Sequence, residues 1–158
     1  MPRLSRAVVR KLIELRPREW VELVRAQAAL LRARFFVRTQ ARGRLVRPAG
    51  AGSAGAHPSA APGPDVLDPA VRRTALAVER AADYGVFRPN CLIRALALQR
   101  LLESRGFRGS TVRVGARLER GHFTAHAWVE YQGHVLGDRD WHVQRFAPLA
   151  PIEVSHRS

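Results

Sequence analysis

Beyond residue 65 the spacing of apolar positions changes once. Over Pro69–Tyr84, and again from Cys91 to about Gly106, apolar residues recur at helical intervals. The second run carries Leu92, Ala95, Leu96, Leu98, Leu101 and Leu102 as a broad apolar face. Asp68-Pro69 offers an N-cap followed by proline at the first helical position, Asn90 and Cys91 open the second helix, and Gly85 and Gly106 stand where the two should stop. The period then becomes two. Val112, Val114, Ala116 and Leu118 alternate with Thr111, Arg113, Gly115 and Arg117, and Gly121 marks a turn. Two more strands are predicted over about 123–131 and 134–136, joined by the hairpin signal Gln132-Gly133. The order helix, helix, strand, strand, strand predicts an α+β domain whose antiparallel strands pack on the Cys91 helix.

Upstream, 18–38 reads as a helix, with Trp20, Leu23, Val24, Leu30 and Leu31 spaced among arginines. Such a helix suits docking on its own domain, on a partner, or weakly on an anionic membrane surface. Between the two regions, 48–64 has no formal charge and is rich in Pro, Gly, Ala and Ser, the composition of a flexible linker. The predicted organisation is therefore a basic helical segment (1–47), a linker (48–64) and one compact domain (65–158).

The net charge of +14 raises the question of a nucleic-acid partner. Its distribution answers against one. The 1–47 segment holds 13 basic residues and 3 acidic, whereas 65–158 holds 14 and 10. Of the 27 basic residues only Lys11 is lysine, and few aromatics accompany the arginines for stacking on bases. One cysteine excludes a disulfide scaffold and a cysteine-built zinc cluster. Glu22, Arg25, Arg32 and Arg34 interrupt the most apolar N-terminal stretch, which rules it out as a membrane span, and 1–18 lacks the features of a secretory signal. A cytoplasmic protein with a reduced thiol, no metal and no cofactor is expected.

Cys91 falls at a predicted helix N-terminus, where unpaired N–H groups and the helix dipole favour a thiolate; a small buried core residue is the alternative. His126 lies in the apolar stretch Phe123-Thr124-Ala125-His126-Ala127-Trp128-Val129-Glu130, a rigid platform for a general base. Alternation puts Trp128 on the same face, as a wall of the same cleft. Past the hairpin, Asp138 is placed to orient the imidazole, and Asp140, two residues on, competes with it. His122 and His126 are about 13 Å apart in a strand and lack an obvious third ligand. His134 and His142 read as hairpin and loop residues.

Three ordered segments, Asn90-Cys91-Leu92-Ile93-Arg94-Ala95-Leu96-Ala97-Leu98-Gln99, Ala125-His126-Ala127-Trp128-Val129-Glu130 and Val135-Leu136-Gly137-Asp138, together resemble the transglutaminase-like cysteine peptidases of lasso-peptide biosynthesis, the B proteins. The resemblance covers about 69–141. It implies a papain- or transglutaminase-like core and a catalytic triad of Cys91, His126 and Asp138. It also implies removal of the leader from a ribosomally made precursor peptide, which frees the N-terminus for a separate macrolactam-forming cyclase. Longer family members carry an N-terminal winged-helix module that grips the leader. Residues 1–64 show no strand-hairpin pattern of that kind, so the resemblance is to the stand-alone form, which works with a separate leader-recognition protein.

Overall fold

The computed structural model describes residues 17–40 and 66–149. The predicted linker 48–64, the first sixteen residues of the basic segment and the C-terminal residues 150–158 lie outside them. The elements are α1 (Pro17–Gln40), α2 (Pro69–Tyr84), α3 (Cys91–Ser104), β1 (Thr111–Glu119), β2 (His122–Tyr131), β3 (His134–Leu136), α4 (Asp140–Val143) and β4 (Ala147–Pro148). No helix among the described residues is long and apolar enough to cross a membrane.

Local chemistry sets the helix ends. The Asp68 carboxylate accepts the Ala70 N–H at 2.6 Å, with Pro69 beginning α2, and the Asn90 side chain accepts the Ile93 N–H at 2.9 Å to open α3. At the end of α3 the Gly106 N–H reaches Glu103 O and the Phe107 N–H reaches Leu102 O, both at 3.0 Å, with Gly106 at φ +87°. This pair of bonds satisfies carbonyls the helix would otherwise leave open, and its left-handed residue favours glycine. Gly85 serves differently. Its φ is −78°, open to any residue, but a side chain there would sit 2.1 Å from the Ala81 carbonyl oxygen and 1.9 Å from Gln27 Oε1. Glycine is required because the chain turns close past the Ala81 carbonyl of α2 itself, with the Gln27 side chain of α1 also near, and not by a left-handed stop.

The sheet is antiparallel in the order β3-β2-β1-β4. Arg120-Gly121 and Gln132-Gly133 both have two successive positive φ values, as two-residue turns matched to strand twist demand. β1 and β2 pair along their whole length, from Thr111 opposite Glu130 to Glu119 opposite His122. Alternation gives the sheet two apolar faces. Val112, Ala127, Val129, Tyr131 and Leu136 join the main core with α3, while Trp128 packs on the other face against Val143 and Phe146 of the returning chain. That return, α4 and β4, has no counterpart in the predicted order, because four and two residues are too few to show a period.

α1 is part of this core. Ala26, Leu30 and Ala33 are fully buried, and α1 packs on both α2 and α3. Arg105, just past α3, donates to Glu22 of α1 and, at 2.7 Å, to the hydroxyl of the fully buried Thr74 of α2, joining three helices through one guanidinium. Arg100 lies over the Phe36 ring and Arg34 over Phe87. The opposite face of α1 exposes Trp20, Val21, Val24, Leu31 and Phe35. Replacing Gly85 by alanine collides with a backbone oxygen that cannot swing aside. The expected cost is about 1–3 kcal/mol, read as a lower urea midpoint with an unchanged slope.

Candidate active site

α3 is buried along its body yet half-exposes its first residue, Cys91. The helix leaves its first N–H groups without internal acceptors; with Ile93 N–H bound to Asn90 and Arg94 N–H bound to the Asn90 carbonyl, those of Cys91 and Leu92 remain at the opening. Both the partial positive charge there and these donors favour an anion. Cys91 lines a cavity of about 220 Å³ together with His126, Trp128, Asp138 and His142, and with Glu79 and Arg94 on the helical side.

β2 holds His126 opposite Gly115 of β1. A side chain at Gly115 would come within 2.7 Å of Phe146 Cβ and 3.0 Å of the Trp128 ring, so its absence makes room for the rings that enclose the imidazole. Trp128 is stacked at 6.2 Å and 20°, with Phe146 at 5.0 Å and His142 edge-on at 4.9 Å. Trp128 is itself fixed, since its indole N–H donates to Glu130 Oε1 at 3.1 Å and Glu130 Oε2 accepts from Arg113 Nε at 2.9 Å.

The chain leaves β3 through Gly137, at φ +76°, and brings Asp138 back to His126. His126 Nε2 donates to Asp138 Oδ2. Two further donors converge on the same carboxylate. The Arg139 N–H reaches Oδ1 at 2.7 Å, and His142 Nδ1 stands 3.0 Å from each oxygen. Burial alone would raise the pKa of Asp138, but the hydrogen bonds from Arg139, His126 and His142 outweigh it and hold the carboxyl below its ordinary value. Glu79 moves the other way: burial pushes it up, Asp83 and Asp138 add to the rise, and Arg94 opposes it. Asp140, the competitor for Asp138, is exposed at the start of α4 and has no bond to His126.

Cys91, His126, Asp138 and Trp128 thus share one cavity. His122 is on the exposed end of β2, away from it. His142 is the residue that sequence reasoning missed. The signal was its i+4 spacing from Asp138, which only the short α4 turns into a contact. Among the described residues, His126, Asp138 and His142 form the group whose donor atoms, within 4.8 Å of one another, could hold a metal ion. The ring nitrogens involved here donate N–H groups to the carboxylate and would have to lose those protons to bind metal. A metal and the hydrogen-bonded triplet are therefore alternatives.

The family described as the transglutaminase-like superfamily (Transglut_core3) matches residues 27–151, from within α1 to just beyond β4. No curated protein and no solved structure matches the chain.

Two pH signatures follow. Asp138 is more acidic folded than unfolded, so the stability it contributes is fully present above about pH 4 and is lost as the pH falls through its lowered folded value. Melts of wild type and Asp138→Asn should differ at pH 7 and converge below about pH 4. Glu79 has the opposite sign, because ionising it costs the folded state. Glu79→Gln should raise the melting temperature at pH 7–8 and leave it unchanged below about pH 4.

Proposed function

The chain belongs to the transglutaminase-like superfamily, and we propose that it is a cysteine peptidase which removes the leader from a ribosomally made lasso-peptide precursor. A cysteine peptidase or acyltransferase type of function is the common ground of the superfamily; the lasso assignment rests on the three motif segments around Cys91, His126 and Asp138. The observation that carries the enzymatic reading is the convergence of a helix-start thiol and an imidazole–carboxylate pair on one cavity.

The chemistry follows from that convergence. Asp138 holds Nε2, which leaves Nδ1 of His126 to take the thiol proton. The Cys91 sulfur adds to the scissile carbonyl, and the N–H groups of Cys91 and Leu92 are oriented to stabilise the oxyanion. His126 then protonates the departing amine, forming a thioester, and in turn activates the water that releases it. Asp138 fixes the tautomer and stabilises the imidazolium. Trp128 walls the site. No cofactor is needed for any step.

The same reading supplies the setting. The enzyme works in the cytoplasm with a separate leader-recognition protein, and its product passes to a macrolactam-forming cyclase. Nucleic acid is not a partner. The exposed face of α1, bearing Trp20, Val24, Leu31 and Phe35 beside Arg25, Arg32 and Arg38, is the surface offered to the recognition protein or, weakly, to an anionic membrane.

Incubation with a precursor peptide and the leader-recognition protein, followed by mass spectrometry, should give one cleavage with wild type and none with Cys91→Ala. Rates should fall by about 10³-fold or more for Cys91→Ala and for His126→Ala. Asp138→Asn should lose activity by orders of magnitude while Asp140→Asn stays near wild type; the reverse order would move the third position to Asp140. Product joined to an added amine in place of water would favour an acyltransferase. No reaction in any combination, with Cys91 inert to alkylation in the folded protein, would leave a basic binding module.

A further inference from the structure

One titratable side chain of the catalytic cavity has no task in the chemistry derived above. Glu79 of α2 is part-buried, lines the cavity that holds Cys91, and makes no hydrogen bond or ion pair among the described residues. Carboxylates withdrawn from water are as a rule paired, because losing hydration without gaining a partner is costly. Burial pushes the pKa of Glu79 up and the charge of Asp138 adds to the rise, so the folded chain carries this group at a cost to its stability. A carboxylate kept at such a cost, and left unbonded inside a cleft beside a thiol, is placed to meet a ligand.

The surrounding charges say which ligand. Asp138 is engaged by its three donors, so its oxygens are taken. Arg94 of α3 faces the same cavity and opposes the rise in Glu79, yet forms no ion pair with it. Its effect is to favour the charged form of Glu79 while leaving the carboxylate oxygens open. The rest of the lining on the helical side, Val78, Ala95 and Leu98, is apolar. Apolar walls with a carboxylate among them suit a side chain of methylenes ending in a cation, the chemistry of lysine and arginine. An acidic side chain would gain Arg94 but meet both Glu79 and Asp138, and an apolar one would leave Glu79 as unpaired as before. The cavity, about 220 Å³, is smaller than the roughly 300–1,000 Å³ of sites that enclose a whole small molecule, which fits one side chain of a larger one.

We propose that Glu79 is the specificity-determining residue of the site, its carboxylate taking the lysine or arginine side chain of the residue whose carbonyl Cys91 attacks. This rests on the peptidase reading for the identity of the occupant, and on the unbonded carboxylate for its charge. Glu79 and Cys91 line the same small cavity, so the selected side chain belongs to a residue at the bond that is cut. Pairing with a cation supplies the donor that the fold withholds from Glu79, and binding recovers what burial of the carboxylate costs the free enzyme.

The test reads selectivity without requiring cleavage. The full-length protein is treated with three affinity labels that differ in one side chain, the acetyl-lysyl, acetyl-norleucyl and acetyl-glutamyl chloromethyl ketones, and alkylation of Cys91 is followed by mass spectrometry. With wild type the lysyl label should react about tenfold or more faster than the norleucyl one, and the glutamyl label slowest. In Glu79→Gln the lysyl-to-norleucyl ratio should fall below about threefold. That variant removes the charge and keeps the shape, and it is expected to melt no lower than wild type, so a lost ratio is not lost folding. A smaller ratio in wild type, a glutamyl label that reacts fastest, a ratio that survives Glu79→Gln, or a Cys91 inert to all three labels would each overturn the inference. Cleavage of the precursor peptide is scored separately. A charge-selective Cys91 without cleavage would uphold the cation site and overturn the peptidase reading. Cleavage without charge selectivity would do the opposite.

Discussion

α3 is pressed from two sides, with Ala95, Leu96, Ala97, Leu98, Leu101 and Leu102 all buried. α1 and α2 cover one side and β2 the other, so neither rotation nor sliding of α3 is open to it without breaking both contacts. Cys91 and Leu92, at its start, are only partly buried. The position of Cys91 is therefore decided by the packing of residues one to three turns away, and the electrostatics of its surroundings by the unpaired N–H groups that every helix start possesses. A side chain held in this way needs no special loop.

The second half of the site is assembled by short-range means. His126 and Asp138 are separated by twelve residues, and a two-residue turn between β2 and β3 brings them together. The carboxylate then collects three donors, from Arg139, His126 and His142. A carboxylate so surrounded stays ionised despite its burial, and an ionised partner is what a histidine requires if it is to carry a positive charge during catalysis. Charge on Asp138 also acts outward, contributing to the rise in Glu79 across the cavity. Glu79 and the triplet are in this sense one electrostatic unit.

Much of this was legible in the residues. Asp68, Asn90, Gly106 and Gln132-Gly133 announced their elements because capping and tight turns depend on single side chains and single φ angles, which sequence records directly. The change of period located β1 and β2 for the same reason. The 18–38 helix was found, but its apolar residues misdirect: Trp20, Val24 and Leu31 face out, while Ala26 and Ala33 pack inward with Leu30. Small residues let helices approach closely, and nothing in a hydrophobicity pattern distinguishes an alanine chosen for closeness from one chosen for helix propensity. The role of His142 was illegible because it depends on a four-residue helix, and the need for Gly85 because it depends on how closely the chain turns past the Ala81 carbonyl and the Gln27 side chain.

The bond between Glu22 and Arg105 spans 83 residues of chain. The β1–β2 and β2–β3 hairpins close over two residues each, so the sheet can form from local encounters while α1 must wait for the end of α3 to exist. On the ribosome α1 is made before every residue it packs against. Its contacts with α2 become possible once residues 69–84 have emerged, those with α3 and Arg105 only later, and closing so long a loop is slow compared with pairing a hairpin. The contact of α1 with the end of α3 thus closes a far longer loop than either hairpin of the sheet.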